Sequence, residues 1–581
     1  MIERRTVDGV PAVLAPTTGP TQAGLAFRVG YADEPLARRG ITHLIEHLAL
    51  HAVGVADYHY NGATGPEFTV FQVQGDEREI VTFLTGVCAS LRELPMRRVA
   101  TEKELLKAEA NGRTSAVTEP MWLWRHGARD YGMAAYPEWG LPAITEDDLR
   151  DWVGRWFTRE NAVLWVAGDK VPAGLRLDLP PGTRHEPPTP SSALPVTPAS
   201  FLGGPTMIGW SAVAPRSAAT SVFAAVLERM MFRELRQEAG LSYTVQTDQQ
   251  PLGADAVLVS AIADAVPDKQ GAVPGALIDL LATLRAGRVD EAELTAVITK
   301  RIEALRQAEE TADRLPAQAF QLLLGRPVET VEDAVAGLRA VTVADVAEVA
   351  AAAWRTGLLM SPTPADWAGF TAAPADSESA VTGTTYRSLA DENRRLIVGA
   401  DGVSVVDAEN LATVRGADCV LMRAWPDGGR QLLGPDGIGV RLEPTLFANG
   451  PKAVAAIDAL ISPAVRVDQP ARDPAQIPKP RPKDPKPARA RGPARARGPA
   501  WARGPAWWRE LVGGWPGAHW KLRLSFVGAL IGTVGFAVVA LLAAIESVQS
   551  SDALFSLAVA LLCVAVFGRA AWKRAGLLRG R

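Results

Sequence analysis

The chain has 581 residues, of which 48% are hydrophobic and 22% charged, and its formal net charge is −3. This length excludes a single hydrophobic core and predicts several domains, while the nearly balanced charge is uninformative for the chain as a whole. The three cysteines (Cys88, Cys419 and Cys563) are isolated and odd in number. They therefore exclude a recognisable disulfide framework and favour a reducing, cytoplasmic setting. The first residues lead into a strand pattern, so we expect no N-terminal signal peptide.

Residues 1–178 alternate predicted strands and helices. Two early apolar runs, residues 10–14 and 22–29, predict a pair of neighbouring strands. Thr145, followed by three acidic residues, predicts a helix start. The remaining elements predicted in this part are a strand at 68–73, helices at 79–91 and 99–110, and a buried strand at 161–168.

Between the second and third of these strands, an apolar run contains the sequence His-x-x-Glu-His at His43, Glu46 and His47. On a helix, His43 and His47 share one face and Glu46 lies beside them. Two neutral imidazoles and a carboxylate from elsewhere form a zinc site that leaves room for water, and an unligated Glu can accept the proton of that water. Pairs of His at this spacing also occur on helix surfaces without a metal, so the motif alone leaves both interpretations open.

A Pro-rich connector at residues 179–200 separates this part from a second unit, residues 201–365, with the same plan. The second unit has predicted strands at 207–213, near Tyr243 and at 257–261, and helices at 223–238, from about Pro274, at 290–312 and at 343–354. We therefore expect two similar α+β domains.

A polar linker at 366–384 leads to a small unit at residues 385–466, with short predicted strands between Gly turns and one helix at 452–461. This layout resembles a pleckstrin-homology-like barrel, and any other small β-rich module is an alternative. Residues 467–520 are rich in Pro, Lys and Arg. Such a segment cannot bury a core, and we expect it to be disordered.

Two apolar segments, residues 524–545 and 552–568, predict a two-helix transmembrane hairpin with a basic tail, residues 521–581. Lys and Arg flank both outer ends, which predicts a multi-pass protein of the cell membrane with both termini cytoplasmic. A hairpin buried in a soluble core is the alternative. The adjacent basic segment is expected to bind anionic lipid rather than nucleic acid, the competing use of such a run.

With these elements in place, residues 1–365 resemble the pitrilysin/insulinase family of zinc peptidases, the inverzincins. Within that family they are similar to the two-domain subunit of mitochondrial-processing-peptidase type. The resemblance is carried by His43-x-x-Glu46-His47, by the preceding Gly30-Tyr-Ala-Asp-Glu34 and Gly40-Ile-Thr-His43, and by the ending of the first domain at 156–169.

The resemblance implies Zn²⁺ as cofactor, held by His43, His47 and a third ligand, Glu109, with Glu46 as the catalytic base. Glu102, seven positions before Glu109, is implied to support the site, and two helical turns place both on one face. Glu104 is the alternative ligand, although it lies off that face. His51 is expected to flank the site, since a third His along the helix cannot reach the same ion. His59 and His126 are expected to be ordinary polar residues.

The resemblance also implies residues that bind substrate. Asn61 and Thr69 match the strand that presents the substrate backbone, although Gly62 stands where the family has Ala. In the second domain, residues 232–245 match the segment whose Arg and Tyr, here Arg236 and Tyr243, lean over the metal and stabilise the oxyanion. A solvated helix residue is the alternative reading of Arg236.

Together these features predict a membrane-anchored zinc metalloendopeptidase that hydrolyses peptides or unfolded segments in the cytoplasm. The resemblance implies a dimer, with a second copy or with another pitrilysin-like subunit, in which Arg236 and Tyr243 of one subunit complete the site of the other. No nucleic-acid partner is expected. Two alternatives are a catalytically silent scaffold of this fold and a membrane-tethered binding module in which residues 385–466 have the main role.

Overall fold

Six strands form the first sheet: β1 (Glu3–Val7), β2 (Val10–Ala15), β3 (Gln22–Phe27), β4 (His59–Thr64), β5 (Thr69–Gln74) and β6 (Ala162–Ala167). Their order is β1-β2-β6-β3-β5-β4, with β2 and β6 parallel and the other neighbours antiparallel. The computed structural model describes residues 2–51, 53, 58–110, 117–204 and 206–480.

The prediction that residues 10–14 and 22–29 form neighbouring strands is wrong, because β6 lies between β2 and β3. All six residues of β6 are buried, and its alternate side chains belong to two different apolar clusters, one on each face of the sheet. A strand that is apolar on both faces needs a central position, with a neighbour on each side. β6 therefore separates two strands that are close in sequence.

Five helices lie in the first half of the chain: α1 (Ile41–His51), α2 (Glu77–Arg92), α3 (Val99–Ala110), α4 (Thr118–His126) and α5 (Glu146–Trp156). Of these, α4 packs on strands that follow residue 198, where Met121 shares an apolar cluster with Phe201 and Met360. Asp76 caps α2 by accepting the Glu79 N–H, and Thr145 caps α5 by accepting the Asp148 N–H. The buried residues of α1 and α2 share one apolar core with β3 and β5. The sheet thus holds α1 firmly on one face.

The second sheet contains β7 (Ala199–Leu202), β8 (Met207–Pro215), β9 (Val245–Leu252), β10 (Ala256–Asp264), β11 (Leu358–Ser361) and β12 (Thr371–Ala372). Its order, β12-β7-β11-β8-β10-β9, repeats the first sheet from β2 to β4, with β7 and β11 as the parallel pair. The edge strand β12 comes from the segment at 366–384 that the sequence predicted as a linker.

The helices of this second half are α6 (Ala218–Met231), α7 (Val273–Arg285), α8 (Glu291–Glu310), α9 (Leu315–Leu323), α10 (Val331–Arg339) and α11 (Val343–Arg355). A π-helical turn, Phe232–Glu238, continues α6. α6 follows β8 as α1 follows β3, so the two helices have corresponding positions. α9 packs instead on the first sheet, where Leu315, Ala319 and Leu323 share a cluster with β6.

Residues 383–480, which we call the C-terminal module, form two four-stranded sheets around one apolar core. Their elements are β13 (Gly383–Arg387), β14 (Arg395–Gly399), β15 (Gly402–Val406), β16 (Leu411–Arg415), β17 (Leu421–Ala424), β18 (Arg430–Leu433), β19 (Gly439–Leu442), α12 (Gly450–Leu460) and β20 (Arg466–Asp468). The strand orders are β13-β14-β15-β16 and β19-β18-β17-β20.

The beginning of the basic segment differs from the expectation of disorder, because residues 467–480 pack on this module. β20 extends to Asp468 and pairs in parallel with β17. Arg472 then forms ion pairs with Asp427 and Glu443 at 2.6 and 2.8 Å, and these contacts order the segment. The rest of the basic segment and the predicted transmembrane hairpin lie outside the described residues. Within the described ranges, no helix has the length and apolar character needed to cross a membrane.

Candidate metal centre

A buried carboxylate fixes the start of α1 and with it the metal motif. Glu34 accepts the N–H groups of Gly40 and Thr42 at 2.8 and 2.9 Å and pairs with Arg39 at 3.0 Å. These bonds satisfy donors that a helix N-terminus leaves unpaired. Gly40 has a φ of +102°, a conformation that favours glycine. Glu34 and Gly40 therefore fix the point at which α1 begins.

Three of the residues predicted as ligands converge. The Nε2 atoms of His43 and His47 each lie 3.7 Å from Glu109 Oε2. The three side chains could share one ion, since a ligand atom of each lies within 4.8 Å of the other two. The alternative ligand Glu104 is an exposed residue that pairs with Lys107, so the structure favours Glu109.

The donor set fits zinc. In a tetrahedral site the donor atoms lie about 3.3–3.5 Å apart, because each zinc bond is about 2.0–2.2 Å long. The two distances of 3.7 Å are slightly wider than this. Two imidazole nitrogens and one carboxylate oxygen also leave a fourth position open, as catalytic zinc sites require.

Two further carboxylates, those of Glu138 and Glu102, orient the two imidazoles. His43 Nδ1 lies 2.7 Å from Glu138 Oε1, and His47 Nδ1 lies 3.4 Å from Glu102 Oε2. Glu102 is buried and also accepts hydrogen bonds from Arg98. With Nδ1–H donated to a carboxylate, each Nε2 lone pair is free for a metal. Glu102 was predicted, whereas Glu138 has no sequence pattern that could have identified it.

Glu138 also changes the basicity of its imidazole. Burial alone would lower the pKa of His43, but the hydrogen bond and charge of Glu138, together with the charges of Glu46 and Glu109, outweigh it, and the pKa is raised. An imidazole with a raised pKa is a stronger electron donor to a metal, and it also competes more strongly for protons at acid pH.

Glu46 lies beside the three ligands and differs from them in its surroundings. Its side chain is buried, and Thr64 Oγ1 donates a 2.7 Å hydrogen bond to Oε2. Burial raises the pKa of Glu46, with the charge of Glu109 as a smaller contribution in the same direction. A carboxyl pKa moved toward neutrality suits a proton acceptor that later becomes a donor.

Gly62 on β4 makes room for Glu46. A Cβ atom at this position would lie 2.6 Å from Glu46 Oε1 and 2.9 Å from its Cγ. Glycine therefore stands where a larger residue would push the carboxylate away. The departure from the family pattern at this position has a local steric reason.

The two predicted substrate-binding residues have different positions. Asn61 is exposed on β4, the edge strand of the first sheet. Thr69 is fully buried on the neighbouring strand β5, and its hydroxyl donates to the Val29 carbonyl at 2.9 Å. A side chain in that position cannot reach a substrate, so Thr69 stabilises the sheet instead.

Arg236 and Tyr243 lie together in the second half. The Arg236 guanidinium is 4.9 Å from the centre of the Tyr243 ring, and Tyr243 is 71% exposed. The π-helical turn carries Arg236, and such turns frequently occur at functional sites. In the described part of the chain, neither residue makes a hydrogen bond or a ring contact with the imidazoles of His43 and His47.

The remaining histidines include one that differs from expectation. His51 and His59 are exposed. His126 was expected to be an ordinary polar residue, but it is buried against Trp122, with Nδ1 2.6 Å from the Ser191 carbonyl oxygen. Burial, with the neighbouring charge of Arg125, lowers its pKa to about 3.

Comparisons with known proteins support the fold. No family model and no curated protein matches the chain. A protease from Helicobacter pylori has a TM-score of 0.53 at 17% identity, with 62% of this chain covering 99% of that one. The peptidase M16 inactive domain from Pseudomonas fluorescens gives 0.53 at 15% identity, with 63% covering 99%. The first half of the periplasmic protease PqqL from Escherichia coli gives 0.50 at 16% identity, with 66% covering 98%. The chain therefore has the fold of the M16 peptidases, the pitrilysin/insulinase-like fold.

Proposed function

We propose that this chain is a zinc-dependent endopeptidase. The observation that carries the proposal is the convergence of His43, His47 and Glu109 beside a buried carboxylate, Glu46, that is not one of the ligands. Three ligands and a separate base are what hydrolysis at a zinc site needs. The M16-like fold supports the same conclusion, since this arrangement of the motif is the inverzincin signature.

Zinc in this site would polarise the scissile carbonyl and make the attacking water more acidic. Glu46 accepts the proton of that water and passes it to the leaving amine. Thr64 keeps Oε2 of Glu46 in place through its hydrogen bond, which leaves Oε1 for the proton. Glu102 and Glu138 hold the two imidazoles during these steps.

The edge strand β4 supports an extended peptide as substrate. Gly62 and Thr64 of β4 face Glu46, so a peptide bond paired with this strand lies beside the proton acceptor. Extended peptides commonly add to exposed sheet edges through backbone hydrogen bonds. Asn61, exposed on the same strand, points to the opposite face from Gly62, so we assign it to binding a substrate side chain away from the scissile bond. A peptide or an unfolded segment can adopt this extended form freely, so we propose these as the substrates.

Arg236 and Tyr243 complete the proposal. Their exposed position suits a role at the metal centre of a second subunit, where fixed donors stabilise the developing oxyanion. This requires a dimer, with a second copy or a related subunit. The two C-terminal apolar segments with their basic flanks support anchoring in the cell membrane, with the peptidase part on the cytoplasmic side.

The test is Glu46→Gln in the full chain. We expect bound zinc, measured by elemental analysis, to remain, while turnover of a peptide library falls by at least about a hundredfold, the usual contribution of a general base. Glu104→Gln is the matched control, since Glu104 is an exposed acid of α3 outside the site. Peptide turnover that survives Glu46→Gln would contradict the assignment.

A catalytically silent scaffold is the second candidate function, because one similar structure is an inactive M16 domain. The wild-type protein decides between the two. A protein that binds zinc and cleaves no member of a peptide library, as a dimer and at neutral pH, is a scaffold. Cleavage that depends on Glu46 excludes that role.

A further inference from the structure

The side chain of Glu138 is nearly buried and hydrogen-bonds to His43. Its side chain is 11% exposed, and Oε1 lies 2.7 Å from His43 Nδ1. The loop that carries it lies directly on the start of α1, because a Cβ on Gly140 would collide with the backbone of Arg38 and Arg39. A Cβ on Gly40 would likewise lie 2.9 Å from that of Glu138. This loop therefore contributes, together with Glu34, to the position of His43 and orients its imidazole.

The next residue, Trp139, contacts the C-terminal module. The guanidinium of Arg423 on β17 lies 4.7 Å from the centre of the Trp139 ring and 5.0 Å from that of Trp425. Its hydrogen bonds go to the side-chain oxygens of Gln469 and Gln431, at 2.9 and 3.2 Å. Burial lowers the pKa of Arg423 to about 10. Arg423 is partly buried and its hydrogen bonds go to neutral groups, so the two aromatic rings contribute to holding its charge.

A second contact joins the module to the start of the same segment. The Ala128 N–H donates to the Pro435 carbonyl in the turn between β18 and β19, at 3.0 Å. Gly127, with a φ of +69°, lies so close that a Cβ there would overlap with the Pro435 carbonyl oxygen. Tyr136 continues the contact, since a Cβ on Gly437 in the same turn would lie 3.2 Å from the Tyr136 hydroxyl oxygen. Residues 127–139 are thus held by the module at both ends.

The three shorter solved structures match only part of this chain. At most 66% of this chain covers 98–99% of the three shorter structures, so about a third of the chain has no counterpart in them. The loop that orients His43 is supported here by a part of the chain that lies at 383–480, after both peptidase-like halves.

We propose that the C-terminal module is a positioning element of the metal centre, acting through Arg423, Trp139 and Glu138 on His43. Arg423 and Trp139 are positioning residues, since they act through Glu138 and do not touch the metal. The inference rests on the zinc centre of the proposed function. It assigns the module a role in metal binding beyond anything that it binds itself.

The experiment measures the zinc affinity of the full chain by competition with a chromophoric chelator, together with the d–d spectrum of the Co²⁺-substituted protein. Glu138→Ala is expected to weaken zinc binding about 10- to 100-fold, the usual effect of removing a carboxylate that orients a ligand. Arg423→Ala is expected to weaken it about three- to tenfold and to shift the cobalt bands, because the Gly127 contact still supports the loop. Arg415→Ala is the matched control, an arginine of the other sheet that pairs with Asp401.

Two further measurements separate positioning from a general loss of structure. Combined with Glu138→Ala, Arg423→Ala is expected to cause no additional loss of affinity, since both act through the same contact. Trp139→Phe, which keeps a ring for the cation, is expected to retain the affinity that Trp139→Ala loses. If Arg423→Ala fails to fold, the comparison of Trp139→Phe with Trp139→Ala tests the positioning role.

An unchanged zinc affinity and cobalt spectrum in Arg423→Ala would overturn the inference, as would a loss that adds in full to that of Glu138→Ala. If Trp139→Phe binds zinc as weakly as Trp139→Ala, the role of the contact between Arg423 and the ring is also refuted. The proposed function fails separately, when the wild type binds zinc tightly and cleaves no peptide. A wild type that takes up no zinc overturns both.

Discussion

Substitution of Gly62 by Ala tests the geometry of the proposed base most directly. The added Cβ would lie 2.6 Å from Glu46 Oε1 and 2.9 Å from Leu50 Cδ1. Contacts this short force a movement, and the Glu46 carboxylate is the flexible partner. We therefore expect it to move by roughly 1 Å and to strain its hydrogen bond to Thr64.

A misplacement of about 1 Å at a reacting group can lower the rate about a hundredfold. We expect kcat of Gly62→Ala to fall by about 10- to 100-fold, with zinc content unchanged because no ligand is touched. Steady-state turnover of one cleaved peptide and elemental analysis measure the two quantities. Gly154→Ala is the control, since a Cβ there meets nothing within 4 Å. Wild-type kcat in Gly62→Ala would show that β4 moves instead and would refute the steric argument.

Three other predictions follow from the same contacts. Glu102→Ala should weaken zinc binding about 10- to 100-fold, because His47 loses the carboxylate that orients it, whereas Glu104→Ala should not change the affinity in the same chelator competition. Removal of zinc by a chelator should abolish turnover and lower the melting temperature, and re-added zinc at 100 times its Kd should restore about 2.7 kcal/mol of stability. In the metal-free protein, His126 has a folded pKa of about 3 against a usual value of 6.5, so its stabilising contribution is complete above pH 6.5 and is lost as the pH falls from 6.5 towards 3. The free energy of unfolding, measured with urea, should be about 2 kcal/mol lower at pH 5 than at pH 7. The His126→Gln variant should not show this difference.

Local patterns in the sequence were sufficient for several elements. The predicted helix at 99–110 is confirmed as α3 with the same bounds, and the helix start at Thr145 is confirmed by its cap on α5. Capping and helical spacing act within a few residues, so they can be read from a short window. The spacing of His43 and His47 on α1 belongs to the same class of signal.

Features that depend on distant parts of the chain were missed or wrong. The order of strands in the first sheet could not be predicted from neighbouring runs, because β6 reaches its central position from more than a hundred residues away. Glu138 bonds to a histidine 95 positions earlier, in a segment without a recognisable motif. The contact of Arg423 with Trp139 joins two separate units in the same way. Burial also decided the position of Thr69, which composition and alternation do not determine.

The acidic residues around α1 show how one side chain type takes several roles through its surroundings. Glu109 is 36% exposed and faces both Nε2 atoms, so its carboxylate lies where it can bind the same ion as they do. Glu102 and Glu138 are nearly buried and bond to the Nδ1 atoms, so their charge is used on the imidazoles. Glu46 is buried and accepts a hydrogen bond from the Thr64 hydroxyl. Arg98 compensates the charge of Glu102. The other three carboxylates repel one another unless positive charge lies between them, and the two imidazoles are neutral when they act as ligands. A divalent cation between Glu109 and the two Nε2 atoms supplies that charge, which is the physical reason to expect the metal-free protein to be the less stable form.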